Sequence, residues 1–145
     1  GIASLPVFRY HIPLLVYSPK HIPAGRMERL TSQIDIAPTV LGLLGMNYRS
    51  RFFGADVLRI EPGRERAFIG NYQRLGYLRD DQLIELAPGS HLGSVRPDYD
   101  QNTVQPPVPV DAVLADEAIS YYQTASYLFS NGLLAARGAE VAAAR

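Results

Sequence analysis

The chain contains no cysteine. Disulfide bonds and thiolate chemistry are therefore excluded, and the redox state of its compartment leaves no mark on it. An excess of one charge is missing too: 14 Lys and Arg balance 14 Asp and Glu over 145 residues. Such a balance gives no bulk attraction to nucleic acid or to an anionic membrane. No apolar run approaches the ~20 residues needed to cross a bilayer. No internal repeat is evident. The chain opens at Gly1 without methionine and without the basic-then-apolar pattern of a signal peptide. It passes directly into strand-like sequence, where an isolated strand lacks sheet partners. The expectation is a fragment whose N-terminal part is missing.

Familiar catalytic motifs are also lacking. There is no G-x-S-x-G elbow, no G-x-x-x-x-G-K phosphate loop and no G-x-G-x-x-G. The three histidines, His11, His21 and His91, include no pair at metal-ligand spacing on a helix. Ser4, Ser18, Ser32, Ser50, Ser90 and Ser94 have no activating histidine nearby in sequence.

What is present is a 47% hydrophobic sequence, ordinary for a folded domain. Ile12–Tyr17, IPLLVY, is continuously apolar, which predicts a strand buried on both faces of a parallel sheet. Ser18–Arg29 is a polar connection. Asp35 is an N-cap candidate for a helix with Pro38 in its first turn and Gly45 as its stop. Ile36, Val40, Leu43 and Leu44 recur at helical spacing, which predicts a buried face and a cost of several kcal/mol for Leu43→Asp. Strand, connection and helix make half of an α/β crossover unit. In the Tyr48–Leu58 loop, Phe52 and Phe53 are expected to cover a core edge and Gly54 to permit a turn.

Glu61–Arg66, with Pro62 and Gly63, reads as a boundary, dividing the chain into 1–63 and 64–145. Ala67–Asn71, Leu75–Arg79 and Gln82–Leu86 read as an antiparallel meander, with Asp80-Asp81 as a tight turn. The alternation around Leu83 and Glu85 is imperfect. Pro88–Pro109 reads as one long surface connection. Asp111 is expected to cap a final helix buried through Leu114, Ile119, Tyr122, Ala125, Leu128 and Phe129, with Gly132 as its end and Leu133–Arg145 as a tail.

Each candidate for chemistry has a plainer role. His11 lies at the wrong end of its strand for an open α/β site and reads as structural. Asp35 could hold a metal, but capping accounts for it. Asp80 and Asp81 suit a solvated turn. Asp98 and Asp100 have a calcium-loop spacing without that loop's glycine and final glutamate. Arg49 and Arg51, flanking Ser50, suit an anionic head group or plain solvent. Tyr72 and Tyr77, with Gln73, Arg74 and Arg79, suit a groove or cross-strand packing. No catalytic, cofactor-binding or metal residue is assigned.

HIPLLVYSP at 11–19, SQIDIAPTVLGLLG at 32–45 and YRSRFFGADVL at 48–58 together resemble the sulfatase-type branch of the alkaline phosphatase superfamily. YRSRFFG and GNYQRLGYLRDDQLIEL at 70–86 are most similar to its lipoteichoic acid synthase and phosphoglycerol transferase group. The resemblance covers residues 5–86 and, more loosely, 121–133. It implies an α/β/α core around a mostly parallel sheet, with a small antiparallel β subdomain and a C-terminal helix. It also implies a threonine, serine or formylglycine nucleophile and a divalent metal: manganese, magnesium or calcium. The metal polarises a phosphate or sulfate ester through which a covalent intermediate forms. In the resembled family the nucleophile lies far upstream, and an Asp-His metal pair shortly precedes the segment matching 11–19. Neither element is in this chain, and Thr39, within the helix, is not the nucleophile. The partners implied are the missing N-terminal part and a glycerophosphate lipid or glycan, with no nucleic acid. The location implied is a bacterial cytoplasmic membrane with an extracytoplasmic catalytic domain, and no span here. A sulfatase proper and a non-catalytic interaction module are the alternatives.

Overall fold

The computed structural model describes residues 4–51, 53–101, 103 and 105–134. Phe52 and the tail from 135 onward lie outside the described residues. A 3₁₀ turn, Val7–Tyr10, is followed by a second, Gln33–Asp35, that leads into α1, Ile36–Leu43. Four strands follow, β1 Ala67–Gly70, β2 Leu75–Arg79, β3 Gln82–Ala87 and β4 His91–Val95, and then α2, Ala112–Ser130. The strands form one antiparallel sheet in sequence order. This is the mixed α/β arrangement with an antiparallel β subdomain and a C-terminal helix that the sequence implied.

The sheet is a middle layer. On one face, Ala67, Leu78 and Leu83 pack with Leu5 and Val7 of the N-terminal segment. On the other, Tyr77 and Ile84 pack with Leu114, Ala115 and Ala118 of α2. Leu78 opposes Leu83 and Tyr77 opposes Ile84 across β2 and β3, so neighbouring pairs serve opposite cores. Covering both faces removes the apolar–polar alternation of a half-exposed sheet, hence the irregular pattern at Leu83–Glu85. Gly76 makes room for the N-terminal segment: a Cβ there would lie 2.8 Å from both Leu5 and Ile69 side chains.

Local chemistry sets the turns and ends. Asp80 and Asp81 both adopt left-handed backbone, φ 49° and 59°, making the expected two-residue hairpin. Asp111 caps α2, its carboxylate accepting from Val113 N–H at 2.8 Å and Leu114 N–H at 3.2 Å. Gly45 and Gly132, φ 64° and 63°, end the helices as expected, and Met46 N–H and Leu133 N–H reach back to Leu41 and Leu128 carbonyls.

Neither sheet edge is open. Ser32 Oγ accepts from Phe68 N–H at 3.3 Å and lies 3.4 Å from the Phe68 carbonyl, while Tyr10 Oη donates to Gly70 O. At the far edge, Val108 N–H donates to Ser94 O, and Val95 bridges Pro107. Side chains and a proline segment thus block further strand addition.

Four expectations are corrected. Ile12–Tyr17 forms no strand and makes no backbone–backbone hydrogen bond among the described residues; Leu15 is 87% exposed and Tyr17 84%. A two-sided buried strand needs neighbours on both edges, and the described residues supply none. The α1 stripe Ile36, Val40, Leu43 and Leu44 faces solvent, while Asp35, Pro38 and Thr39 are buried, because polar anchors hold the opposite side. Pro88–Pro109 contains β4: Gly89 and Ser90, at φ 77° and 58°, turn the chain straight back onto β3. Phe129 is 78% exposed, although Leu114 of the same predicted face is buried.

Candidate functional site

Asp35 is the most connected side chain near the junction of the two halves, and it is fully buried. It is not the simple helix cap that its position suggested; its carboxylate makes no cap bond to α1. Oδ2 instead accepts from Ser32 N–H at 2.9 Å and Oδ1 from Ala55 N–H at 2.8 Å. Arg66 closes the set with a two-pronged contact, Nη1 to Oδ2 and Nη2 to Oδ1, both at 3.0 Å. Nη2 also donates to Phe53 O. Bidentate pairing with extra backbone donors offsets the cost of burying a carboxylate.

Thr39 continues the anchor. Its hydroxyl donates to Asp35 O at 2.6 Å and accepts from Val57 N–H at 3.0 Å. The loop 53–57 is thereby stitched to α1. Gly54 permits the approach, because a Cβ there would fall 1.9 Å from Ile34 O. The Asp35–Arg66 pair spans the boundary expected near residue 63.

Beside Arg66 opens a cleft of about 570 Å³. It is lined by Phe53, Arg64 and Tyr77 and by residues of α2, Tyr121 among them. Arg66 lies 5.3 Å from the Phe68 ring centre and 6.0 Å from that of Tyr121. Burial works against its charge, but the Asp35 bond and charge outweigh it and raise the Arg66 pKa. Arg79 Nη1 contacts both Glu117 oxygens at 2.6–2.7 Å, and Tyr77 Oη donates to Glu117 at 2.7 Å. Burial, then the bond to Glu117, pushes the Tyr77 phenol up and keeps it neutral.

A second buried carboxylate, Glu85, is used in the same way. It accepts from Arg74 Nη1 at 3.1 Å, from Ser4 Oγ at 2.9 Å and from Leu5 N–H. The imperfect alternation around Leu83 and Glu85 did not reveal this buried charge, and nothing in the sequence named its partner. Among the described residues no group of three or more His, Asp or Glu could hold a metal ion. The donor set explains why: Asp35 and Glu85, the buried acids, are already saturated by arginines and backbone N–H groups. The described residues do not fit a catalytic divalent metal.

The other candidates scatter. His11 ends the first 3₁₀ turn and is exposed, and His21 Nδ1 lies 3.2 Å from Ser18 Oγ. His91 starts β4, exposed. Asp98 organises its own loop, accepting from Asp100 N–H, Gln101 N–H, Gln105 Nε2 and the Thr103 hydroxyl. These bonds, Thr103 foremost, lower its pKa. Arg49 and Arg51 are exposed, and Arg51 Nη1 contacts Leu133 O. Tyr72 and Tyr77 line no common groove: Tyr72 is 100% exposed and Tyr77 1%. Cross-strand packing accounts for Tyr77, whose ring lies 5.4 Å from that of its partner Phe68.

The sulfatase family model matches residues 3–46. A solved structure described as a protein in the alkaline phosphatase superfamily, from Vibrio parahaemolyticus, is 28% identical with a TM-score of 0.69. That match covers 76% of this chain. Both findings support the alkaline phosphatase superfamily. The chain spans 27% of the length of that superfamily neighbour.

Proposed function

We propose that this chain is the C-terminal portion of a longer metal-dependent enzyme acting on phosphate esters through a covalent intermediate. The branch we favour is the phosphoglycerol transferase and lipoteichoic acid synthase-like group, supported by the YRSRFFG and GNYQRLGYLRDDQLIEL strings. In this reading the enzyme sits in a bacterial cytoplasmic membrane with its catalytic domain outside, and it takes a glycerophosphate lipid or glycan. The nucleophile and the manganese, magnesium or calcium ligands belong to the preceding polypeptide. No described helix here is long and apolar enough to cross a membrane, so a membrane helix would also belong elsewhere.

The observation that carries this reading is the Ile12–Tyr17 segment. It is apolar throughout, exposed and outside any strand or helix. The exposed stripe of α1 lies on the same half of the chain. Burying one Leu, Val or Ile side chain is worth about 1.5–3 kcal/mol, so both features favour a polypeptide that covers them. The preceding part of the same protein is the partner proposed, and this chain is its scaffold.

The test is an assay of the full-length protein with a divalent metal, offering a glycerophosphate lipid and an aryl sulfate in parallel. The proposal expects turnover of the lipid, none of either substrate by the 145-residue chain, and loss of activity on replacing an upstream threonine nucleophile. Turnover of the aryl sulfate alone, through a formylglycine, assigns a sulfatase instead. Turnover by the short chain overturns the scaffold reading.

A further inference from the structure

The cleft between α2 and the 53–66 segment carries hydrogen-bonding groups that the fold does not use. Asp116, Ser120 and Thr124 line its α2 wall, all exposed, and none has a hydrogen-bond or ion-pair partner among the described residues. They are spaced four residues apart, which sets neighbouring Cβ atoms about 5–6 Å apart on one helix face. The Phe53 and Tyr121 rings, 6.5 Å apart and inclined at 60°, line the same cleft.

Charge decides what such a cleft takes. Arg66 is paired with Asp35, and Arg79 with Glu117 and Asp80. Arg64 lies 3.8 Å from Glu61, and Asp116, which lines the same cleft, has no ion-pair partner among the described residues. Each of the three guanidinium groups thus has a carboxylate beside it, Glu61, Asp35 and Glu117, leaving no spare positive charge for phosphate or sulfate. A neutral ligand with several hydroxyls fits both walls. A free carboxylate accepts two hydroxyl donors, the serine and threonine hydroxyls donate and accept, and aromatic faces pack the C–H face of a sugar ring.

We propose that this cleft is a binding site for a neutral pyranose, held by Asp116, Ser120 and Thr124 beside the Phe53 and Tyr121 rings. The volume of about 570 Å³ accommodates one sugar ring with room for a second. The site is independent of the proposed ester chemistry and does not rest on it.

The experiment is amide chemical-shift titration of the 145-residue chain with methyl β-D-glucopyranoside, glycerol and inorganic phosphate in turn. The expected result is saturable movement of the Asp116, Ser120 and Thr124 amides with the glucoside. Glycerol, which has no ring face, binds more weakly, and phosphate leaves these amides unmoved. Asp116→Asn, an exposed change, is expected to weaken glucoside binding about tenfold, or about 1.4 kcal/mol, with an unchanged circular dichroism spectrum. Ser120→Ala serves as a second variant and is expected to weaken binding in the same direction. No saturable shift in the folded wild type overturns the proposal. Phosphate binding as tight as that of the glucoside also overturns it, as do unchanged affinities in both variants.

Discussion

At the scale of single residues, the chain spends its buried charges on holding itself together. Asp35 is saturated by Arg66 and two backbone N–H groups, and Glu85 by Arg74 and the N-terminal segment. Removing one partner of such a pair strands the other in a low dielectric. Arg66→Met is therefore expected to lower stability by about 3–5 kcal/mol, read from the urea midpoint at constant slope. An unchanged midpoint would mean that the pair is solvated in solution. Asp35 shows how far sequence reasoning reached at this scale. Its place before Pro38 and an apolar helix marked it as a structural carboxylate rather than a metal ligand. The arginine that claims it lies 31 positions away, and no local pattern encodes a contact at that separation. Asp98 was legible in the same partial way: its Asx-rich surroundings announced a loop, and the loop's own donors use its carboxylate.

Elements were most legible where their signals are local. The Asp80-Asp81 turn, the Asp111 cap and the two helix-ending glycines follow from backbone chemistry within a few residues. β4 was hidden because His91–Val95 has two exposed residues, a glycine and no strong alternation. The direction of α1 was hidden because periodicity finds an apolar stripe without saying what covers it. Leu43 is 39% exposed, so Leu43→Asp in this chain is expected to change stability within about 0.5 kcal/mol rather than by the several that burial implies. Leu114, 4% exposed on the sheet-facing side of α2, is the contrast: Leu114→Ala is expected to cost about 2–5 kcal/mol in the same urea experiment. Equal effects at the two sites would contradict the packing of both helices. The docking of α2 also has a pH signature. Tyr122 donates to Gly76 O at 2.9 Å, and burial pushes its phenol up to about 12 from 10.0. A group that ionises less readily when folded stabilises fully below its unfolded pKa and loses that contribution as pH rises through the folded one. Stability is thus expected to fall between pH 10 and about 12, with Tyr77 contributing in the same direction. Tyr122→Phe should flatten that alkaline decline in urea titrations at successive pH values.

For the whole molecule, the two halves behave differently. The sheet has two covered faces and two blocked edges, a finished unit. The N-terminal half has a finished polar anchor and an unfinished apolar surface, from Ile12–Tyr17 to the outer stripe of α1. That contrast is the physical content of the scaffold reading: the same continuous hydrophobicity that predicted a doubly buried strand stands in solvent when its neighbours are not supplied. Hydrogen exchange of the Ile12 and Leu14–Tyr17 amides, compared between this chain and the full-length protein, tests it most directly. The account predicts near-intrinsic exchange in this chain and, in the full-length protein, protection comparable to that of β2 and β3. Rapid exchange of these amides in both would contradict it.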